Sequence, residues 1–231
     1  MCGRVALFSP PSRLARLLEA TLAAGLEDVT PSWNVGPLRH LFAAHESDAG
    51  RVLERYRWGL VPSWAKDPSI ANRLFNARGE TVAEKPSFRS AFARRPCVVP
   101  VDGFYEWDHR AGRAKAPHYF QRADDEPLLL AGLYEHWHDP SAPETVLATC
   151  TVITTTPSVD MDELHDRMPV VLAREDVADW LDVENPREVR AAMLRPAPAK
   201  TLVHHAVDAA VGSIRNDGPQ LIEPTGPAEL F

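Results

Sequence analysis

Proline restricts this chain more than any other residue: 21 of them are spread from Pro10 to Pro227 through 231 residues. A proline ring fixes φ and removes a backbone donor, so it ends helices and is kept out of central strand positions. The spacing therefore predicts short helices and short strands joined by turns. A hydrophobic share of 45% and six tryptophans are enough for a substantial core, which excludes a disordered chain.

Between the breakers, the runs 52–58, 97–101, 118–121, 128–134 and 146–154 are rich in β-branched and aromatic residues and read as strands. Leu14, Leu17, Leu18 and Leu22 follow Pro10 and Pro11 at helical spacing, predicting a surface helix that runs on to Gly25. Helical patterns recur at 174–181 and 186–194, and 201–206 reads as one more strand. Strands and helices do not alternate regularly, so the expected class is α+β, with a mainly antiparallel or mixed β-sheet core and peripheral helices. With no repeat and no clear linker, the expectation is one domain over 1–222 and a polar tail over 223–231.

The formal net charge of −7 excludes a generally basic nucleic-acid binder, so any DNA contact has to be local. Arginines gather at Arg51, Arg55, Arg57, Arg73, Arg78, Arg89, Arg94 and Arg95, while acids dominate 124–126, 160–163 and 176–184. This pattern fits either a basic face on an acidic body or a mixed solvated surface. Cys2, Cys97 and Cys150 are odd in number, which fits a reduced, cytoplasmic setting. No stretch approaches the ~18 apolar residues of a membrane span, and the chain start lacks an export pattern.

Cys2 is notable for its position. Removal of Met1 would leave a residue whose α-amine and thiol sit on neighbouring carbons. Their reference pKa values of about 7.7–8.0 and about 8.5 keep each partly nucleophilic near neutral pH. An aldehyde is the electrophile that uses both: the amine forms an imine, and the thiolate closes a five-membered thiazolidine on the same carbon. That role requires Cys2 at the mouth of a site; a buried cysteine acting as a small hydrophobe is the plainer alternative.

Asn76 is suited to fixing a backbone group or the terminal amine, and Arg78 to holding a phosphate. Glu106 stands among Phe104, Tyr105 and Trp107, which would raise its pKa if they exclude water. His165, before a further apolar run, titrates in the range useful for acid–base work. The pairs His136/His138 and His204/His205 lack supporting ligand spacing, so neither a metal nor any other cofactor is expected.

The start Met1-Cys2-Gly3-Arg4, then Trp33-Asn34-Val35-Gly36-Pro37, Asn76-Ala77-Arg78-Gly79-Glu80-Thr81, Gly103-Phe104-Tyr105-Glu106-Trp107 and His165-Asp166-Arg167-Met168-Pro169, resembles the SOS response-associated peptidase family over residues 2 to about 222. Gly36 stands where the family motif commonly has alanine, and Met168 where some relatives carry a second arginine. The resemblance implies a single-domain monomer that meets abasic sites in single-stranded DNA, associating with the nucleoid when bound. It implies Cys2 as the covalent link, Asn76 orienting the Cys2 end, and Glu106 and His165 assisting proton transfer. It also implies a DNA-binding set of Arg4, Asn34, Pro37, Trp64, Arg78, Trp107 and Arg167. Two other readings fit the residue types: a cysteine hydrolase acting on amides, and a noncovalent single-strand binder stacking bases on Trp64 or Trp107.

Overall fold

Short strands carry this fold, as the proline spacing predicts. The computed structural model describes residues 2–27, 29–108 and 116–225. In chain order the strands are β1 (Val5–Leu7), β2 (Thr21–Leu22), β3 (Ser32–Val35), β4 (His40–Ser47), β5 (Gly50–Trp58), β6 (Asn76–Arg78) and β7 (Pro96–Val101). They continue as β8 (Gly103–Trp107), β9 (Pro117–Arg122), β10 (Leu128–Asp139), β11 (Ala142–Thr155), β12 (Met168–Pro169) and β13 (Leu202–Ala206). The four α-helices among the described residues are short: α1 (Pro11–Leu17), α2 (Arg89–Arg94), α3 (Val177–Leu181) and α4 (Arg187–Ala192).

Strands β11, β10, β7, β4 and β5 pair antiparallel in succession, and β5 returns to β11 in parallel through Thr149↔Arg57 and Cys150↔Trp58. The ring of pairings closes into a small barrel and leaves these five strands without a free edge. Leu53, Tyr56, Trp58, Cys97, Val99, Cys150 and Val152 are all fully buried in its core. Outside the ring, β2 extends β5, while β6 and β12 both pair with β11.

The second sheet runs β13-β9-β8-β1-β3, antiparallel throughout. One residue, Asp102, separates barrel strand β7 from β8, so the chain passes directly from one sheet to the other. The Asp102 carboxylate accepts hydrogen bonds from Phe8 N at 2.6 Å, Ser9 N at 2.8 Å and Ser9 Oγ at 2.5 Å, which pins the end of β1 to this crossing. Gly103 is required beside it, because a Cβ there would sit 2.4 Å from the Tyr119 ring and 2.5 Å from the Phe120 carbonyl.

The architecture is the α+β fold expected, a mixed β core with helices outside it. All six strands read from the sequence are present, most of them longer than their signals. The first helix is a correction. It ends at Leu17, Glu19 turns through a positive φ of 53°, and Thr21–Leu22 pairs with β5, so Leu22 is held by a sheet edge. Strands β1, β3, β4, β6 and β8 and helix α2 had not been anticipated. Residues 226–231 of the expected tail lie outside the described residues.

Candidate active site

Strand β1 lies between β8 and β3, with Val5 paired to both Phe104 and Val35. The chain leads back from it through Arg4 and Gly3 to Cys2, which has 0% exposure and joins the main apolar cluster. This corrects the expectation of a residue at the mouth of a site: the flanking strands direct the chain end inward, against the barrel. Burial, and then the charge of Glu106, raise the Cys2 thiol above its ordinary pKa. The thiol is held protonated, and its use as a nucleophile needs a base.

Asn76 opens β6, whose parallel pairing with β11 sets Asn76 against Val152. Its Nδ2 donates to the Cys2 carbonyl at 2.6 Å. The buried Oδ1 of the same amide has no hydrogen-bond partner among the described residues, although a buried amide oxygen ordinarily finds a donor.

Glu106, on β8, is 3% exposed, and burial pushes its carboxyl up to about 7. The neighbouring charge of Asp166 acts in the same direction. His165 Nε2 lies 3.5 Å from Glu106 Oε2. On the other side of the ring, Arg167 N donates to His165 Nδ1 at 3.0 Å. The same Nδ1 also lies 3.1 Å from the Arg167 carbonyl and 3.1 Å from Asp166 Oδ1, so it faces two acceptors as well as that donor.

Cys2, Asn76, Glu106 and His165 therefore converge from four segments separated by up to 163 residues. Arg4 flanks them. Its Nη1 donates to Asn34 Oδ1 at 2.8 Å and Val211 O at 2.5 Å, and its guanidinium lies 5.9 Å from the Trp107 ring centroid. Asn34 Nδ2 in turn donates to Val211 O, Ser213 O and Asn216 O. Arg167 makes a two-pronged pair with Glu80 at 2.5 and 3.0 Å and donates to Thr154 O at 2.7 Å. Arg4, Asn34 and Arg167 are thus engaged within the protein, whereas Arg78, two residues beyond Asn76, is exposed.

Pro37 is half-buried, next to Gly36, where a Cβ would lie 3.5 Å from Arg4 Nε. Trp107 is also half-buried, at the end of β8. Trp64, 55% exposed, stands on the loop after β5, with its indole N–H on Pro86 O at 3.2 Å. Sequence reasoning missed Glu80, whose carboxyl Arg167 holds below its usual pKa. It also missed Asp102. The only cue for Glu80 was an acid inside a motif with two arginines nearby.

Among the described residues no group of three or more His, Cys, Asp or Glu side chains could hold a metal ion, and no helix is long and apolar enough to cross a membrane. The residues present can move protons beside a buried thiol.

A family model described as SOS response associated peptidase (SRAP) matches residues 1–214. The chain is 36% identical over 224 residues to the abasic site processing protein YoqW of Bacillus subtilis (strain 168), covering 96% of this chain and 99% of that protein. It is 33% identical over 265 residues to the abasic site processing protein HMCES of Gallus gallus, covering 97% of this chain and 78% of that one. A crystal structure of a protein from Bacteroides thetaiotaomicron matches with a TM-score of 0.85 at 24% identity, over 97% of this chain and 100% of the other. A second, from Bordetella bronchiseptica, matches at 0.76 and 27% identity, over 90% and 100%.

Proposed function

The chain belongs to the SOS response associated peptidase family, and from that premise we propose that it captures abasic sites in single-stranded DNA through a covalent bond to Cys2. Relatives named as abasic site processing proteins support the lesion. The observation that carries the chemistry is Asn76 holding the Cys2 carbonyl at 2.6 Å while the Glu106 charge acts on the Cys2 thiol.

The reaction begins with loss of Met1, which lies outside the described residues, to free the Cys2 amine. The amine adds to C1′ of the ring-opened sugar and gives a carbinolamine, which loses one water to become an imine. The thiol then adds to the same carbon as its proton passes to nitrogen, and a thiazolidine results. The balance is one water released, with no oxidant or cofactor.

Glu106 serves this sequence because a carboxyl with a pKa of about 7 exists in both protonation states near neutrality. It protonates the departing hydroxyl and, once ionised, takes the thiol proton. His165 exchanges protons with it across 3.5 Å. The open Oδ1 of Asn76 is suited to accept from the freed amine and so fix both ends of Cys2. Arg78 supplies an exposed cation for a phosphate beside the lesion, and Trp107 a ring face. Arg4, Asn34 and Arg167 act through the positions they hold. A flexible single strand delivers its sugar to such a recessed site more readily than a stacked duplex does.

The test is to incubate processed protein with a single strand containing one abasic site and run a denaturing gel, with mass spectrometry of the product. The proposal requires a shifted band equal to protein plus DNA minus one water, located on Cys2. Cleavage of an amide substrate with no retained adduct would favour the hydrolase reading and overturn this one.

A further inference from the structure

Arg39, His40, Arg55 and Arg57 gather where β4 begins and β5 ends. The antiparallel register sets His40 opposite Arg57 and Phe42 opposite Arg55. Directly opposed residues share a sheet face, so His40, Arg55 and Arg57 emerge on one side with buried Phe42 as their apolar floor, while Arg39, just before β4, lines the adjoining cleft beside His40. Arg55 Nη2 lies 3.3 Å from His40 Nδ1. Burial, followed by the charges of Arg55, Arg57 and Arg39, lowers the pKa of His40, so the cationic groups are close enough to act on one another.

Elsewhere on the barrel Arg51 pairs with Glu46 at 2.8 Å and Arg95 with Glu135 at 2.6 Å. Among the described residues Arg39, Arg55 and Arg57 form no ion pair. In a chain of net charge −7, three adjacent arginines left unpaired concentrate positive potential on one patch. The patch borders a cleft of about 360 Å³ lined by Thr30, Asn34, Arg39, His40, Arg55 and Asp217. Asp217 is turned to other work: its carboxylate accepts from Ser32 Oγ, Trp33 N and Gly218 N.

Hydrogen bonds through the buried Trp58 tie the base of the patch to the segment that carries Asn76. Arg39 N donates to Gly36 O, beside Arg4, and Trp58 N donates to Arg39 O at 2.7 Å. The Trp58 indole donates to the carbonyl of Phe75, the residue before Asn76. We propose that Arg39, His40, Arg55 and Arg57 form a track that binds the phosphodiester backbone of the DNA strand on one side of the captured lesion. This rests on the reading of the site as a trap for abasic single strands. The charges are strung out: Arg55 and Arg57 are separated by a strand rise of about 6.6 Å. That spacing suits successive phosphates of a strand better than one free phosphate, and such contacts attract without reading sequence.

The test compares the wild type with an Arg39→Ala/Arg55→Ala/Arg57→Ala variant and the matching triple lysine variant. Noncovalent binding to undamaged single strands of increasing length is measured by fluorescence anisotropy over a salt series, and covalent capture with abasic strands extended on one side or the other. Wild-type affinity should climb as one arm lengthens. The triple alanine variant should lose that climb, bind long strands about tenfold or more weakly at low salt, and show a log K against log salt slope shallower by about 2, from ~0.7 per lost phosphate contact. The lysine variant should keep most of the slope.

Wild-type affinity and salt slope in the alanine variant would overturn the track, as would a loss equal at every strand length or matched by competition with inorganic phosphate. Should the alanine variant melt early, Arg55→Ala alone must still reduce the slope by about 0.7. A wild type that binds strands with the expected slope yet forms no cross-link would remove the reading of the site and leave the track standing.

Discussion

Glu106 and His165 face each other across 3.5 Å, carboxyl oxygen to imidazole Nε2, with both side chains about 95% shielded from solvent. A carboxyl and an imidazole this close and this shielded are placed to pass a proton between them. In the proposed reaction, imine formation, thiol addition and their reversal would all draw on that pair.

Glu106→Gln and His165→Ala should each slow covalent capture, within the 10²–10⁴-fold that a positioned acid or base usually contributes. The double variant should be little worse than the slower single one, because the two act as a unit. Reversal should slow alongside formation, since both directions use the same proton transfers. Timed gels for cross-linking, and for transfer to a competing abasic strand, read both. Full multiplication of the two single effects would separate the residues into independent roles.

The same burial that tunes Glu106 lowers stability at higher pH. Its folded pKa of about 7 lies above the ordinary value of 4.5, so the folded state binds the extra proton between these values. The associated stability is fully present below about pH 4.5 and is lost as pH rises through about 7, a change of about 3 kcal/mol. Glu106→Gln cannot lose that proton. Its melting temperature relative to the wild type should therefore rise between pH 5 and pH 8, by roughly 5–10 °C for a chain of this size. A difference that stays constant with pH would show that the carboxyl is ordinary.

Cys2→Ala should abolish the denaturation-resistant adduct while costing only about 1 kcal/mol in packing at its buried position. A protein carrying a blocked or extended amino terminus should fail almost as completely, because a peptide nitrogen cannot condense with an aldehyde. Gel shift and thermal melting separate chemistry from folding here. Undiminished capture by the extended protein would make the thiol the sole nucleophile.

Asp102→Ala should damage both readouts at once. It strands the N–H groups of Phe8 and Ser9, at a cost of about 2–4 kcal/mol, and releases the end of the strand that carries Cys2. Asp102→Asn, which keeps an acceptor, should recover part of the stability. Normal capture kinetics in the alanine variant would mean that β1 is held well enough by its pairing with β3 and β8 alone.

The four central site residues were legible because each is a reactive type in an unusual local setting: a cysteine at position 2, an amide in an apolar run, a carboxyl among aromatics, a histidine before a strand. Their convergence was not, since it depends on the parallel pairings of β11 with β5 and β6, between segments far apart in sequence. The burial of Cys2 was hidden for a related reason. Gly3 and Arg4 beside it look like surface residues, and only the strands from positions 32–35 and 103–107 turn the chain end inward. Strand β4 escaped notice because Ala43 and Ala44 have little β preference, and the barrel supplies what local propensity lacks. The partners of Arg4, Asn34 and Arg167 could not be read either, since five of the carbonyls that hold them carry no residue-type signal.

The Arg4 guanidinium rests on the carbonyls of Val211 and Gly212, 207 and 208 residues further along. Synthesis on the ribosome runs the other way, delivering the amino end first. Cys2 and Arg4 are thus among the earliest residues made, yet their last support reaches them only when nearly all of the chain has been translated. Until then Asn34 and Arg4 have no 211–216 segment to grip, and β1 hangs on its neighbours alone. The segment that begins the chain is therefore made first and held last.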